Sequence, residues 1–227
     1  MIRGVIFDLD GVLVTTDEMH YRGWARLAEE EGIPFDRKQN ERQRGVSRME
    51  SLEVMLERAT RSYSETEKHA MAERKNAYYR DFLKTLTPAD TLPGTREMLT
   101  ALRTRGIRLA VGSSSRNTPL ILQLTGLADA FDAVADGNDI TRSKPFPDVF
   151  LIAAERLQLP PEDCLVVEDA PAGIEAGRRA GMAVFGIDAL GILSDVPHKA
   201  ESLAGVTVDA LLSTPMAVEA GQTGAKR

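Results

Sequence analysis

The sequence predicts a doubly wound, mainly parallel α/β sheet carrying one helical insert, and three observations make that prediction. Short apolar runs, among them Val5-Ile6-Phe7 and Leu165-Val166-Val167, read as strands buried on both faces. From residue 88 to residue 187 such runs alternate with helical patterns, as parallel strands joined by right-handed crossovers require. Between residues 15 and 87 no buried strand pattern occurs, and the stretches 51–56 and 64–86 are charged, amphipathic and helix-favouring.

Each element follows from local chemistry. The first strand, residues 2–8, ends in Asp8-Leu9-Asp10-Gly11 and is expected in the middle of the sheet. A helix then begins near Met19 and continues through Trp24, Leu27 and Ala28, with Thr16 or Asp17 as its N-cap and Gly32-Ile33-Pro34 as its stop. Pro88 and Leu92-Pro93-Gly94 mark the return to the sheet. Helices are expected over residues 95–105, 118–127, 147–157 and 172–180, and strands over 107–111, 131–135, 165–167 and 183–187. The division is therefore a core of residues 1–14 and 88–227 with an insert of residues 15–87, and the tail 221–227 is small, polar and expected to fray.

Composition narrows the function. With 227 residues, 43% hydrophobic and 27% charged, the chain has ordinary globular composition. A formal net charge of -6 gives no broad basic face, so nucleic acid and anionic membranes are not expected partners. The single cysteine, Cys164, lies in an apolar run, which excludes internal disulfides and thiolate zinc clusters. No apolar run approaches the roughly 20 residues that span a bilayer, and Asp8 comes too early for a signal peptide; a cytoplasmic monomer is the expectation.

A parallel sheet of this kind gathers four loops at its carboxyl edge, and each brings a different chemical type. The first carries Asp8 and Asp10, two like charges whose repulsion a divalent cation relieves, although an Asp-Gly turn with solvated acids reads equally well from these residues alone. The second, Gly112-Ser113-Ser114-Ser115-Arg116-Asn117, offers hydroxyls and amides ahead of a helix, suited to an anion or simply to capping. The third carries Lys144, fixed before Pro145; a lone lysine there is ordinarily solvated. The fourth carries Glu168-Asp169, where Asp169 serves either as an N-cap or, with Asp8, in an all-oxygen magnesium site. Acid pair, hydroxyl, lysine and acid pair on successive strand ends describe a phosphoryl-transfer site. A Walker loop and a Gly-x-Ser-x-Gly elbow are absent.

These motifs resemble those of the haloacid dehalogenase superfamily of aspartyl-phosphate enzymes. Phe7-Asp8-Leu9-Asp10-Gly11-Val12, Ser113, Lys144-Pro145 and Glu168-Asp169 are similar to its four motifs in order, and the insert is similar to its mobile helical cap. The cap segments Glu18-Met19-His20-Tyr21-Arg22-Gly23-Trp24, Arg44-Gly45-Val46-Ser47-Arg48 and Arg74-Lys75-Asn76 are similar to those of the superfamily's sugar-phosphate mutases, with Arg116 in place of a more usual lysine and Thr15 in place of aspartate. The resemblance implies a Rossmann-like core and interconversion of β-D-glucose 1-phosphate and glucose 6-phosphate, with Mg²⁺ as cofactor and β-D-glucose 1,6-bisphosphate as activator and intermediate. It implies Asp8 as nucleophile and Asp10 as general acid and base, with Mg²⁺ on Asp8, the Asp10 carbonyl, Glu168 and Asp169. Ser113 and Lys144 would hold the transferring phosphoryl group, and Arg48, Ser114, Ser115, Arg116 and Asn117 the phosphate-binding remainder. Thr16, His20, Trp24, Gly45, Val46 and Lys75 would face the sugar or position Asp10. Hydrolysis of a sugar phosphate by the same site stays open at this point, as does a non-enzymatic phospho-acceptor role, which has little use for Asp10 or the insert.

Overall fold

The computed structural model describes residues 1–43 and 46–216; Gly45 and the tail 221–227 lie outside the described residues. Six parallel strands form one sheet: β1 (Gly4–Phe7), β2 (Arg108–Gly112), β3 (Ala133–Ala135), β4 (Cys164–Glu168), β5 (Ala183–Ile187) and β6 (Lys199–Ala200). Their order is β3-β2-β1-β4-β5-β6, so the first strand lies inside the sheet as its apolar run requires. Register sets Phe7 beside Val111 on one side and Val167 on the other, which aligns the ends of β1, β2 and β4 at one edge.

Alternation along the strands separates two cores. Val5, Phe7, Leu109, Val111, Leu165 and Val167 face one layer, which contains helix α5 (Thr95–Thr104), helix α6 (Thr118–Leu124) and helix α9 (Val208–Leu212). Ile6, Ala110 and Val166 face the other, against helix α7 (Asp148–Arg156) and helix α8 (Pro171–Arg179). Both faces are covered, as an all-parallel sheet demands. Cys164 belongs to the second layer, and burial pushes its thiol up to about 11, an inert state. β4 runs one residue further at each end than its apolar run predicts, which makes Glu168 a strand residue. β6 and α9 are additions to the expected elements, too short to carry a period.

Among the described residues of the insert the regular elements are all helices: α1 (Asp17–Glu31), α2 (Arg37–Glu41), α3 (Arg48–Leu56) and α4 (Glu65–Leu83). α1 ends at Gly32 in the left-handed conformation with φ 67°, which favours glycine. Trp24, Leu27, Leu52, Met55, Met71 and Ala72 form a core of their own, whereas Tyr79 and Leu83 at the far end of α4 join the core of the sheet. Among the described residues no helix is long and apolar enough to cross a membrane.

The two chain segments that enter and leave the insert run side by side. Val14 bridges Thr91 in antiparallel fashion, and the Leu92 amide donates to the Leu13 carbonyl at 2.9 Å. Gly94 completes this seam with φ 83°, and a Cβ there would fall 2.1 Å from the Ala204 nitrogen. Gly94→Ala therefore combines a strained dihedral with a backbone clash, and is expected to destabilise the fold by about 2 kcal/mol or more in urea unfolding.

Candidate active site

The strand ends deliver buried charge to the sheet edge. The Asp8 amide donates to the Val167 carbonyl at 2.9 Å, fixing the residue directly after β1. Lys144 is 1% exposed, in contrast to the solvated lysine its sequence context suggests. Its Nζ donates to Asp8 Oδ1 at 2.5 Å and to Glu168 Oε1 at 2.6 Å. Burial alone would push this ammonium down, but the two carboxylates outweigh it and hold it above its ordinary value. Burial likewise pushes Glu168 up, opposed by Lys144 and by the Ala170 amide.

Carboxylate oxygens of Asp8, Glu168 and Asp169 lie within 4.8 Å of one another. An all-oxygen, acidic set of this kind fits a hard divalent cation. Two glycines make room for it. A Cβ at Gly11 would fall 2.1 Å from Asp169 Oδ2, and one at Gly173 would fall 1.8 Å from Glu168 Oε1. Asp169 is not the cap of α8; that position belongs to Ala170, with no side-chain bond.

Asp10 is held from the insert side. Thr16 is the N-cap residue of α1, yet its hydroxyl does not cap the helix. The Thr16 amide donates to Asp10 Oδ1 at 2.6 Å, and its hydroxyl donates to Asp10 Oδ2. Tyr79 O–H donates in turn to Thr16 Oγ1 at 2.8 Å; burial, then Asp10, keeps the phenol proton in place. His20 Nε2 stands 3.8 Å from Asp10 Oδ2, and its Nδ1 accepts from Lys75 Nζ at 2.8 Å. Desolvation, then Lys75 and Arg48, pushes His20 well below its ordinary value, so the ring is neutral at pH 7 with its Nε2 proton toward Asp10. Lys75 is 3% exposed, sits over the Trp24 and Tyr79 rings, and is depressed by desolvation and by Arg48. Gly23 leaves space for its stem: a Cβ there would lie 3.2 Å from Lys75 Cε.

The second loop turns tightly after β2. Ser113 Oγ accepts from the Ser115 amide at 3.2 Å, and Ser115 Oγ accepts from the Asn117 amide at 3.2 Å. Ser114 Oγ is buried without a hydrogen-bond partner among the described residues, a donor ready for an anion. Asn117 Nδ2 donates to Asn76 Oδ1 at 3.0 Å, joining the start of α6 to α4 of the insert. Arg48, at the start of α3, is pushed down by burial and by Arg116, with Glu73 opposing.

A cleft of about 460 Å³ brings these groups together. Asp8, Asp10, Asp169, Lys144 and the loop from Ser113 to Asn117 line it from the sheet; His20, Trp24, Val46, Arg48 and Lys75 line it from the insert. Thr16 and Glu168 stand behind Asp10 and Lys144 and do not line it. Trp24 is first a core residue of the insert that also reaches the cleft. Tyr79 and Glu73 line it too, beyond the residues singled out from sequence, as does Asn76, which sequence offered within the segment Arg74-Lys75-Asn76 but with no role of its own. The signal for Tyr79 and Asn76 was present: with Ala72 and Lys75 they form one helical stripe on α4.

A sequence profile of the haloacid dehalogenase-like hydrolases matches residues 2–181. The chain belongs to this family. Among members with names, it is 44% identical over 188 residues to the β-phosphoglucomutase of Bacillus subtilis, covering 82% of this chain and 83% of that protein. It is 31% identical to the phosphorylated carbohydrates phosphatase of Thermotoga maritima over 82% of this chain and 85% of that one. The crystal structure of β-phosphoglucomutase from Clostridium difficile superposes with a TM-score of 0.87 at 38% identity, covering 92% of this chain and 95% of that chain.

In this haloacid dehalogenase-like site Lys75 is a buried ammonium with no carboxylate among the hydrogen bonds around it, and desolvation depresses it. The unfolded chain binds its proton up to about pH 10.5 and the native state releases it earlier, so stability attributable to this group rises with pH across that window. Lys75→Met keeps the volume and removes the charge. It is expected to raise the melting temperature at pH 7 by about 2–4 °C and to flatten that part of the pH dependence, read by calorimetry.

Proposed function

We propose that the chain interconverts β-D-glucose 1-phosphate and glucose 6-phosphate, with phosphorylated Asp8 and β-D-glucose 1,6-bisphosphate as intermediates. The observation that carries this reading is a pair of separate cation sets in one cleft: Lys144 with Ser113 near Asp8, and Arg48 with Arg116, one from the insert and one from the loop after β2. A phosphatase binds one phosphate, whereas a mutase working through a bisphosphate binds two. The 44% identity to the Bacillus subtilis β-phosphoglucomutase supports the same conclusion.

In this reading Asp8 carries the phosphoryl group at the start of the cycle. Its P–O bond breaks as the sugar C6 oxygen bonds to phosphorus, and Asp10 takes the proton from that oxygen. The bisphosphate then presents its C1 phosphate. An Asp8 oxygen bonds to phosphorus, the bond to the C1 oxygen breaks, and Asp10 returns the proton there. Glucose 6-phosphate leaves with Asp8 phosphorylated again. Lys144 and Ser113 hold the phosphoryl oxygens throughout, and Arg48, Ser115, Arg116 and Asn117 hold the distant phosphate. When bound by Asp8, the Asp10 carbonyl, Glu168 and Asp169, Mg²⁺ would neutralise charge on the transferring group.

The insert, residues 15–87, acts as a cap that excludes water until a sugar hydroxyl arrives, turning on the segments at 15–16 and 87–93. The His20, Thr16 and Lys75 network supports a role in orienting Asp10.

Incubation with Mg²⁺, β-D-glucose 1-phosphate and a trace of the 1,6-bisphosphate should yield glucose 6-phosphate without matching inorganic phosphate. Phosphate release with little isomer would make the chain a hydrolase instead. Asp8→Asn should abolish both outputs, and Asp10→Ala should lower kcat by about a hundred-fold or more while the melting curve is retained. Arg48→Ala should cost mutase activity more than hydrolysis of p-nitrophenyl phosphate, which has no second phosphate; equal losses would remove Arg48 from the distal site.

A further inference from the structure

The arginine assigned to the distant phosphate already has an anion. Arg48 Nη1 donates to Glu73 Oε1 at 2.5 Å, and both side chains line the cleft. The pair lies wholly within the insert, Arg48 on α3 and Glu73 on α4, so it persists whether or not the insert moves against the sheet. Its two members differ in surroundings: Arg48 is 20% exposed and Glu73 68%. Glu73 can therefore swing into solvent at little cost, whereas Arg48 stays near the cleft wall. Its backbone is anchored at the helix start, where Ser47 Oγ accepts from the Glu50 amide at 3.2 Å and the Ser47 amide donates to Glu50 Oε2 at 2.8 Å. Glu73 is also one turn before Asn76, the residue that meets Asn117 from the sheet side, so it lines the cleft while remaining open to solvent.

We propose that Glu73 is a positioning residue, a displaceable counter-ion that holds Arg48 while the distal phosphate is absent and retakes it when the phosphate leaves. The proposal rests on the two-phosphate reading above. A bisphosphate that must turn end for end has to break its contact with Arg48 in every cycle. A desolvated guanidinium left bare, with Arg116 and Lys75 nearby, would make that step costly. A waiting carboxylate lowers the cost of release and, equally, weakens the hold on bound phosphate. A phosphate and Glu73 compete for one fork of donors.

The test is Glu73→Gln, an isosteric change at an exposed side chain, in wild-type and Arg48→Ala backgrounds. In the wild-type background KM for β-D-glucose 1-phosphate is expected to fall about two- to five-fold with a comparable fall in kcat, while hydrolysis of p-nitrophenyl phosphate is unchanged. In the Arg48→Ala background the second substitution should move neither constant. An unchanged KM, a lower KM with undiminished kcat, or the same shift in both backgrounds overturns the proposal and leaves the two-phosphate reading standing. An Arg48→Ala enzyme with wild-type KM for β-D-glucose 1-phosphate overturns that reading itself.

Discussion

A lysine bonded to two carboxylates at the edge of a parallel sheet is the interaction on which the rest depends. Asp8, Glu168 and Asp169 converge because β1 and β4 are neighbours in register, and that convergence concentrates negative charge where little water reaches. Lys144 answers it from a third loop, and the three-way contact ties together segments 136 and 24 residues apart in sequence. Removing one member of such a set leaves an uncompensated buried charge, whose cost exceeds the value of the intact pair. The neighbouring glycines belong to the same constraint. Gly11 and Gly173 allow the carboxylates to stand where a Cβ would otherwise be. Architecture and chemistry are thus inseparable at this edge: the sheet that brings the acids together is stable there because a lysine, and in the proposed cycle a cation, neutralises them.

The insert contributes a second buried cation on opposite terms. Lys75 is surrounded by Trp24, Tyr79 and a neutral His20, and it loses more through desolvation than a nearby carboxylate returns. A group kept at such expense links elements: through His20 it reaches Asp10, and Asp10 is gripped by Thr16, which Tyr79 of the same α4 helix supports. Asp10, the proposed acid and base, is therefore held by side chains of the insert even though its backbone belongs to the sheet edge. Any movement of α1 or α4 would alter the position of Asp10, which gives the proposed cap a direct physical link to proton transfer.

How far the sequence carries this depends on the range of each interaction. The strands β1, β4 and β5 are legible because burial on both faces leaves continuous apolar runs. The order of the loops, and with it the assembly of Asp8, Ser113, Lys144 and Asp169, follows from the alternation. β6 and α9 leave no such trace, because two and five residues carry no period. The burial of Lys144 is invisible locally, since both its partners are distant. Thr16 reads correctly as the residue at the start of α1, but its hydroxyl serves Asp10 instead of the helix, a choice only tertiary structure reveals. α4 looks like a solvated charged helix, yet its Lys75 is buried and its Glu73 is not, and composition cannot tell which charge faces inward.

The two cation sets of the cleft differ in kind, and the difference suits the alternation the proposed chemistry needs. Lys144 is buried and paired with two carboxylates, so in the proposed cycle it can stabilise the same phosphoryl position in every half-reaction. Arg48 is paired with an exposed carboxylate that solvent can accept, so the proposed contact to a phosphate would be made and broken at low cost. A site that transfers a phosphoryl group must be fixed at the reacting phosphorus and yielding at the other end of the substrate, because the same sugar has to present first one oxygen and then another. The sheet edge supplies the fixed half through strand register, and the yielding half is Arg48 on the insert's α3, whose counter-ion Glu73 is exposed on α4. In the proposed cycle the reacting groups come from the geometry of the parallel sheet, while the distal phosphate is shared between Arg48 of the insert and Arg116 of the loop after β2.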